Sequence, residues 1–291
     1  MTGQTTHLHA NCLVVLNCMN EEEVAPGLRL AHDLRAGVAR EAGMTVRTVD
    51  CARPVELRMA LAELAEAAAD GLMPAVHIDG HGAVEGLLTG DGSLVLWEAL
   101  WPLFRNLNVA TRNNLILTFA SCSSAHGIVD KTAADLSRPT PFLVMVAPQK
   151  IVLNGTVDAG FEDFYRTLIA TGDINAAFDL LERRDLAAST VGEYKLLIAP
   201  KLFVLSAGKY IQQHCIGEAA RARERNLEAL RAGDRHTRRH VRNAIRGSQA
   251  LYLREKYDRF MMIDRYPDQT GRFQINFGAL EARIRRRARR T

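Results

Sequence analysis

PAVHIDGHG, residues 74–82, is the stretch from which the fold is read. Pro74–Ile78 is a short apolar run, the composition of a strand buried on both faces, and it ends at Asp79-Gly80-His81-Gly82, a cluster of turn-forming residues. The pattern on either side has a different period. Upstream, Pro54 opens a helix whose Leu57, Leu61, Leu64 and Ala68 share one face, with Gly71 as its stop. Before that lie a strand at Thr45–Val49, a helix carrying Leu30, Leu34 and Val38, and a first strand at Asn11–Leu16. Downstream, Leu94–Leu107 reads as a short strand and an amphipathic helix, and Asn114–Phe119 (NLILTF) as the fourth core strand. Phe142–Val146 is a fifth strand. Helices through Phe161, Phe164, Tyr165, Leu168 and Ile169, and from Asp173 through Phe178 and Leu181, precede a sixth strand at Leu196–Leu205. Strand and helix alternate, so the expected class is α/β: a mostly parallel six-stranded sheet flanked by helices.

Composition removes several classes. With 47% hydrophobic and 24% charged residues in 291, the chain can build a core, which excludes wholesale disorder. No apolar run approaches the roughly 18 residues of a membrane helix. Met1–Ala10 lacks the basic-then-apolar order of a secretory signal, which points to a cytoplasmic protein with no membrane partner. Cys12, Cys18, Cys51, Cys122 and Cys215 are odd in number and irregular in spacing, as expected of reduced thiols rather than a bridge framework. Neither GxGxxG nor GxxxxGK[ST] occurs, so nucleotide chemistry loses its usual support.

The net charge of +4 conceals a division: Ser206–Thr291 carries 21 Lys and Arg against 9 Asp and Glu, and the preceding residues carry an acidic excess. A boundary near Ala207–Gly208 gives an α/β domain over 1–207 and a basic, mainly helical region over 208–291. Within the latter, Glu218–Leu230 and Arg238–Tyr257 read as helices, Tyr266–Gly271 as a turn, and Phe273, Ile275 and Phe277 as a half-buried strand. Arg283–Arg290 holds six arginines. Such a stripe suits nucleic acid or an acidic partner, and charge runs are most often plain solvated surface.

Sheets of this kind place ligands beyond the carboxyl ends of their strands. His81 follows the third strand and Cys122, within Ala120-Ser121-Cys122-Ser123-Ser124, follows the fourth. If these strands are neighbours, both side chains overhang one edge. Cys122 would begin a helix, where backbone N–H groups favour a thiolate, and His81 would take its proton. Backbone N–H groups of Gly82 and Cys122 would form an oxyanion hole. Asp79, Ser121 and Ser123 are candidates for a substrate pocket; Asp79 is equally a turn residue satisfying backbone N–H groups. His77, inside its strand, reads as a packing residue. His126 is the alternative base if the strands prove remote. Cys18 follows the first strand without a His-Gly context.

His81-Gly82 after an apolar strand, followed 41 residues later by Cys122 in Ser-Cys-Ser-Ser, resembles the caspase-type cysteine peptidases, where the separation is roughly fifty. The Cys-Ser-Ser flank is most similar to separases and bacterial CHAT domains, and the stretch through Gly155, Phe161, Phe164 and Tyr165 is similar to the latter. The resemblance covers Cys12 to Leu205. It implies a caspase-like sandwich and an endopeptidase working through a His81–Cys122 dyad on protein substrates, with no cofactor or metal in bond breaking. It also implies gating by calcium, an activating protease or a regulatory partner, and a role in bacterial stress or antiphage defence. Glu182–Asp185 and Arg235–Arg242 are candidate processing sites. The chain departs from caspases in lacking Gln-Ala before the cysteine and Arg-Gly after it. It departs from metacaspases in having Ala120 where they usually carry Asp, so no acidic or basic cleavage preference carries over. The rival class is a nucleic-acid- or acidic-partner-binding protein on a catalytically inert scaffold of the same shape.

Overall fold

The computed structural model describes residues 8–126, 136–152, 154–187, 193–214 and 252–288, together with 218, 221, 222 and 225. It divides into two compact units, the larger ending at Ala199 and the smaller beginning at Pro200 apart from a short excursion at Ala133–Arg138. The division falls eight residues ahead of the boundary read from the charge pattern because it follows contacts, whereas composition changes only inside the helix that spans it.

The larger unit is α/β. In chain order it contains β1 (Cys12–Asn17), α1 (Pro26–Ala36), α2 (Val38–Glu41), β2 (Thr45–Asp50), α3 (Pro54–Ala69) and β3 (Pro74–Asp79). Next come β4 (His81–Gly82), β5 (Gly86–Leu88), β6 (Leu94–Leu96), α4 (Trp97–Ala110), β7 (Ile116–Ala120) and β8 (Val144–Pro148). It closes with α5 (Asn154–Thr171), α6 (Ile174–Ala187) and β9 (Tyr194–Ile198). The main sheet has six strands in the order β2-β1-β3-β7-β8-β9, parallel except for β9 at one edge. β1, β3, β7 and β8 are buried along their whole length, which is why their sequences are mostly apolar rather than alternating, and their few polar residues, Asn17, His77, Asp79 and Thr118, are buried as well.

Side-chain alternation along β7 shows the two helical layers. Phe119 meets Trp97 (5.6 Å between centroids) and Phe104 (6.0 Å) of α4, while its neighbour Thr118 meets Tyr165 of α5 on the other face. On the α5 face His77 lies edge-on to Phe161 at 4.8 Å. Its Nδ1 is 2.9 Å from the Thr118 hydroxyl, which is in turn 2.5 Å from the Tyr165 hydroxyl. His77 is thus a packing residue, as its place in the strand suggests.

Two features depart from the sequence reading. Beyond β3 the chain leaves the main sheet and enters a three-stranded antiparallel sheet, β4-β5-β6, with His81 opposite Leu88 and Gly82 opposite Leu87. The loop expected at 79–82 is therefore partly laddered. The sixth strand begins two residues early and stops at Ile198, where Ala199 starts helix α7 (Ala199–His214). An apolar run of ten could not separate a strand from the buried helix that follows it.

In the smaller unit Phe203 of α7 packs edge-on against Tyr257 (4.8 Å) on α8, helical over 252–260, and Tyr257 meets Phe277 at 5.5 Å. Tyr266–Gly271 is a 3-10 turn over Pro267–Gly271. The strand expected through Phe273–Phe277 is absent. Burial does alternate there, but no strand pairs with the segment, and Phe277 opens helix α9 (Phe277–Ala288), which takes in most of the arginine run. Most of the two helices expected across 218–251, and the Arg235–Arg242 processing site, lie outside the described residues. No helix among the described residues is long and apolar enough to cross a membrane.

His77 makes stability pH-dependent. It is fully buried, its Nε2 has no hydrogen-bond partner among the described residues, and desolvation holds its pKa down to about 3. The folded chain keeps the imidazole neutral while the unfolded chain protonates near pH 6.5. The contribution is complete above pH 6.5 and lost as the pH falls from there toward 3, by up to ~1.4 kcal/mol per unit. Urea unfolding between pH 4 and 6 is expected to show a slope shallower by about one proton in His77→Leu than in the wild type.

Candidate active site

β3 and β7 are adjacent and in parallel register, with Asp79 opposite Ala120, so the residues that follow them emerge at one edge. That edge lies beside the point where strand order reverses, β1 sending its connection to β2 on one side and β3 taking up the other. The proximity expected from sequence is met at the backbone. A Cβ on Gly82 would fall inside the van der Waals shell of the Cys122 carbonyl oxygen and 3.0 Å from the Cys122 nitrogen, so only glycine fits. The antiparallel ladder then fixes His81 one residue away.

The side chains, however, hold other partners. Cys122 Sγ is half-buried and accepts the Val152 N–H at 3.4 Å. His81 is exposed, and its Nε2 lies 3.0 Å from Glu23 Oε1. No hydrogen bond joins imidazole and sulfur. The helix expected to begin at Cys122 starts at Ser124, and only its first three residues are described. The N–H group that reaches the sulfur is therefore that of Val152, delivered by the chain that follows β8.

The backbone around the sulfur is held tightly. Ser123 adopts φ +56°, an uncommon conformation for a residue other than glycine, and its N–H donates to the Lys150 carbonyl at 3.2 Å. The Ser124 hydroxyl donates to the Ser121 carbonyl at 2.8 Å. The Cys122 N–H has no acceptor among the described residues, as a member of an oxyanion hole requires.

The expected pocket residues divide. Ser123 is half-buried beside the sulfur. Ser121 is 1% exposed and its hydroxyl has no partner among the described residues. Asp79 is 2% exposed, and its Oδ2 accepts the Gly27 N–H at 2.6 Å, so the carboxylate serves the first turn of α1. His126 is exposed, and its N–H closes a turn onto the Ser123 carbonyl. Since β3 and β7 are neighbours, the condition that would have made it the base is not met.

Burial also separates the two candidate sulfurs. Cys18 is 1% exposed, and its pKa is raised first by a hydrogen bond with the Cys51 thiol and then by burial. A thiol in that setting stays protonated and inert. Cys122 has solvent access.

Sequence reasoning missed three neighbours of these residues. Glu23 belongs to an acidic run, Glu21–Glu23, in the loop after β1, and nothing local ties it to a histidine 58 residues away. Val152 acts through its backbone, for which side-chain identity carries no signal. Tyr194, on β9, has a buried hydroxyl without a hydrogen-bond partner among the described residues; burial, then Asp185 and Cys122, raise its pKa. A Lys150–Glu193 ion pair at 2.5 Å lies on the adjoining surface.

The cavity of about 470 Å³ bounded by Ala75, Ile116, Tyr165 and Leu168 lies at the amino ends of β3 and β7, away from these groups. Among the described residues no cluster of three or more His, Cys, Asp or Glu is arranged to hold a metal ion. No protein-family model matches the chain, and no curated protein matches it.

The close approach at Gly82 is open to direct measurement. Gly82→Ala is expected to cost about 1–3 kcal/mol in urea unfolding through overpacking. It should also slow alkylation of Cys122 by iodoacetamide, because the new methyl pushes the His81 segment away. Gly278→Ala, whose Cβ would meet nothing closer than 3.6 Å, should do neither.

Proposed function

We propose that the chain is a cysteine endopeptidase of caspase type, with Cys122 as nucleophile and His81 as general base and acid. The observation that carries this reading is the packing of Gly82 on the Cys122 backbone, which puts an exposed imidazole and a half-open sulfur on the same edge of a parallel sheet. The caspase-like sandwich, the enzyme class and the use of protein substrates rest on that juxtaposition together with the His-Gly and Ser-Cys-Ser-Ser motifs.

In the proposed reaction the Cys122 thiol proton passes to His81, and the sulfur attacks the scissile carbonyl carbon. The C–S bond forms as the carbonyl oxygen takes the negative charge, which the Cys122 N–H, aided by the Gly82 N–H, stabilises. As the oxyanion collapses, the C–N bond breaks and His81 gives its proton to the leaving amine. Water, deprotonated by His81, then splits the thioester and returns the sulfur to its thiol form. The present partners of the two side chains, Val152 N–H and Glu23, are compatible with this sequence, since hydrogen bonds between catalytic groups often form only when substrate enters.

Self-processing at Glu182–Asp185 fits poorly with this picture. The four residues lie within α6, and Arg184 Nε donates to Asp163 Oδ2 at 2.7 Å. A peptidase groove takes extended chain, so α6 would have to unwind first.

A fluorogenic peptide library is the appropriate assay. Cys122→Ala is expected to abolish cleavage and His81→Ala to lower kcat/KM at least a hundredfold, with Cys18→Ala near wild type. Full activity in either of the first two variants would overturn the proposal.

A further inference from the structure

The Glu23–His81 contact is built from two sides. Glu23 Oε2 accepts the Asn20 N–H at 3.1 Å, the Glu23 N–H donates to the Asn20 carbonyl at 3.0 Å, and the Asn20 side chain accepts the Glu22 N–H at 3.2 Å. The carboxylate is therefore fixed by its own loop before it meets the imidazole. That loop packs against the β5–β6 connection, where a Cβ on Gly90 would lie 2.6 Å from the Met19 carbonyl oxygen and 2.9 Å from the Asn20 nitrogen. The same small sheet carries His81 opposite Leu88. At the loop's root, the Cys18 N–H donates to the Asp79 carbonyl at 2.7 Å, tying the end of β1 to the end of β3. Acid and imidazole are thus presented to each other by two segments that are themselves joined.

The contact also assigns the proton. A carboxylate only accepts, and the hydrogen bond to His81 is the main reason Glu23 is held below the usual carboxylate range. Nε2 must then carry the hydrogen, and in the neutral ring Nδ1 carries the lone pair.

We infer that Glu23 is a positioning residue that fixes the Nε2–H tautomer and ring orientation of His81, leaving Nδ1 as the atom that exchanges a proton with Cys122. This rests on the dyad reading given above. The S–H bond of Cys122 breaks as the Nδ1–H bond forms, giving thiolate and imidazolium, while Glu23 remains ionised throughout. The pair is exposed, with 55% of the His81 and 41% of the Glu23 side chain open to solvent, so its value to folding is small and its loss should leave the melting temperature nearly unchanged.

The test uses Glu23→Ala and Glu23→Gln in the full chain with three readouts. Nitrogen-15 NMR of the neutral His81 ring is expected to show the Nε2–H tautomer in the wild type and in Glu23→Gln, whose amide oxygen still accepts, and a mixture in Glu23→Ala. Alkylation of Cys122 by iodoacetamide near neutral pH should slow about tenfold in Glu23→Ala, with partial recovery in Glu23→Gln. In peptide cleavage, kcat should fall about tenfold or more in Glu23→Ala with KM unchanged. An unaltered tautomer and alkylation rate in Glu23→Ala, or faster alkylation, would overturn the assignment. The first two readouts need no peptide. If the wild type cleaves nothing while Glu23→Ala still shifts the tautomer and slows alkylation, the peptidase reading falls and the role of Glu23 stands. Cleavage by the wild type with Glu23→Ala indistinguishable from it sinks the Glu23 inference alone.

Discussion

The parallel register of β3 with β7 governs the rest of the molecule, because it brings two loops of unrelated sequence to one edge. Ala75 through Asp79 runs opposite Ile116 through Ala120, and each strand then ends within three residues of a reactive side chain. Backbone hydrogen bonds set that register, and burial on both faces keeps it from slipping, since a shift by one residue would turn Phe119 away from the α4 aromatics. The absence of a side chain at Gly82 is the second half of the constraint. Without it the His81 segment could not lie against the Cys122 backbone.

The same edge shows how environment distinguishes identical chemical groups. Cys18 and Cys122 both follow core strands. One is sealed beside the Cys51 thiol, where ionisation is penalised; the other stands half-open with a backbone N–H on its sulfur. His77 and His81 are four residues apart. The first is buried edge-on to Phe161 and stays neutral well into acid; the second is exposed and bonded to a carboxylate. In each pair solvent access, rather than residue type, decides which member is available for chemistry. Asp79 makes the same point among the acids: its burial and its bond to Gly27 turn it to the support of α1, and Glu23 on the neighbouring loop is the carboxylate that meets the imidazole.

The buried strands β1, β3, β7 and β8 were legible because largely apolar runs between helical periodicities have few other solutions, and the position of His81, Gly82 and Cys122 just past strand ends was legible because such strands must end in loops. The small β4-β5-β6 sheet was not. Its strands are two or three residues long, too short for alternation to register. The start of α7 was hidden inside an apolar run, and the alternation at Phe273–Phe277 misled because period-two burial specifies a strand only when a neighbour supplies a ladder.

By itself, then, the sequence determined the α/β class, the approximate positions of the core strands and the location of His81 and Cys122 just beyond the ends of two of them. These follow from local rules of periodicity, burial and turn composition that operate over ten or fifteen residues. Only the tertiary structure decided that β3 adjoins β7, that Cys18 is closed off, that Val152 reaches the sulfur and that Glu23 holds His81. Each of these depends on contacts between residues 30 or more apart in the chain, where no local pattern operates and the outcome is set by which surfaces the packed sheet brings into register.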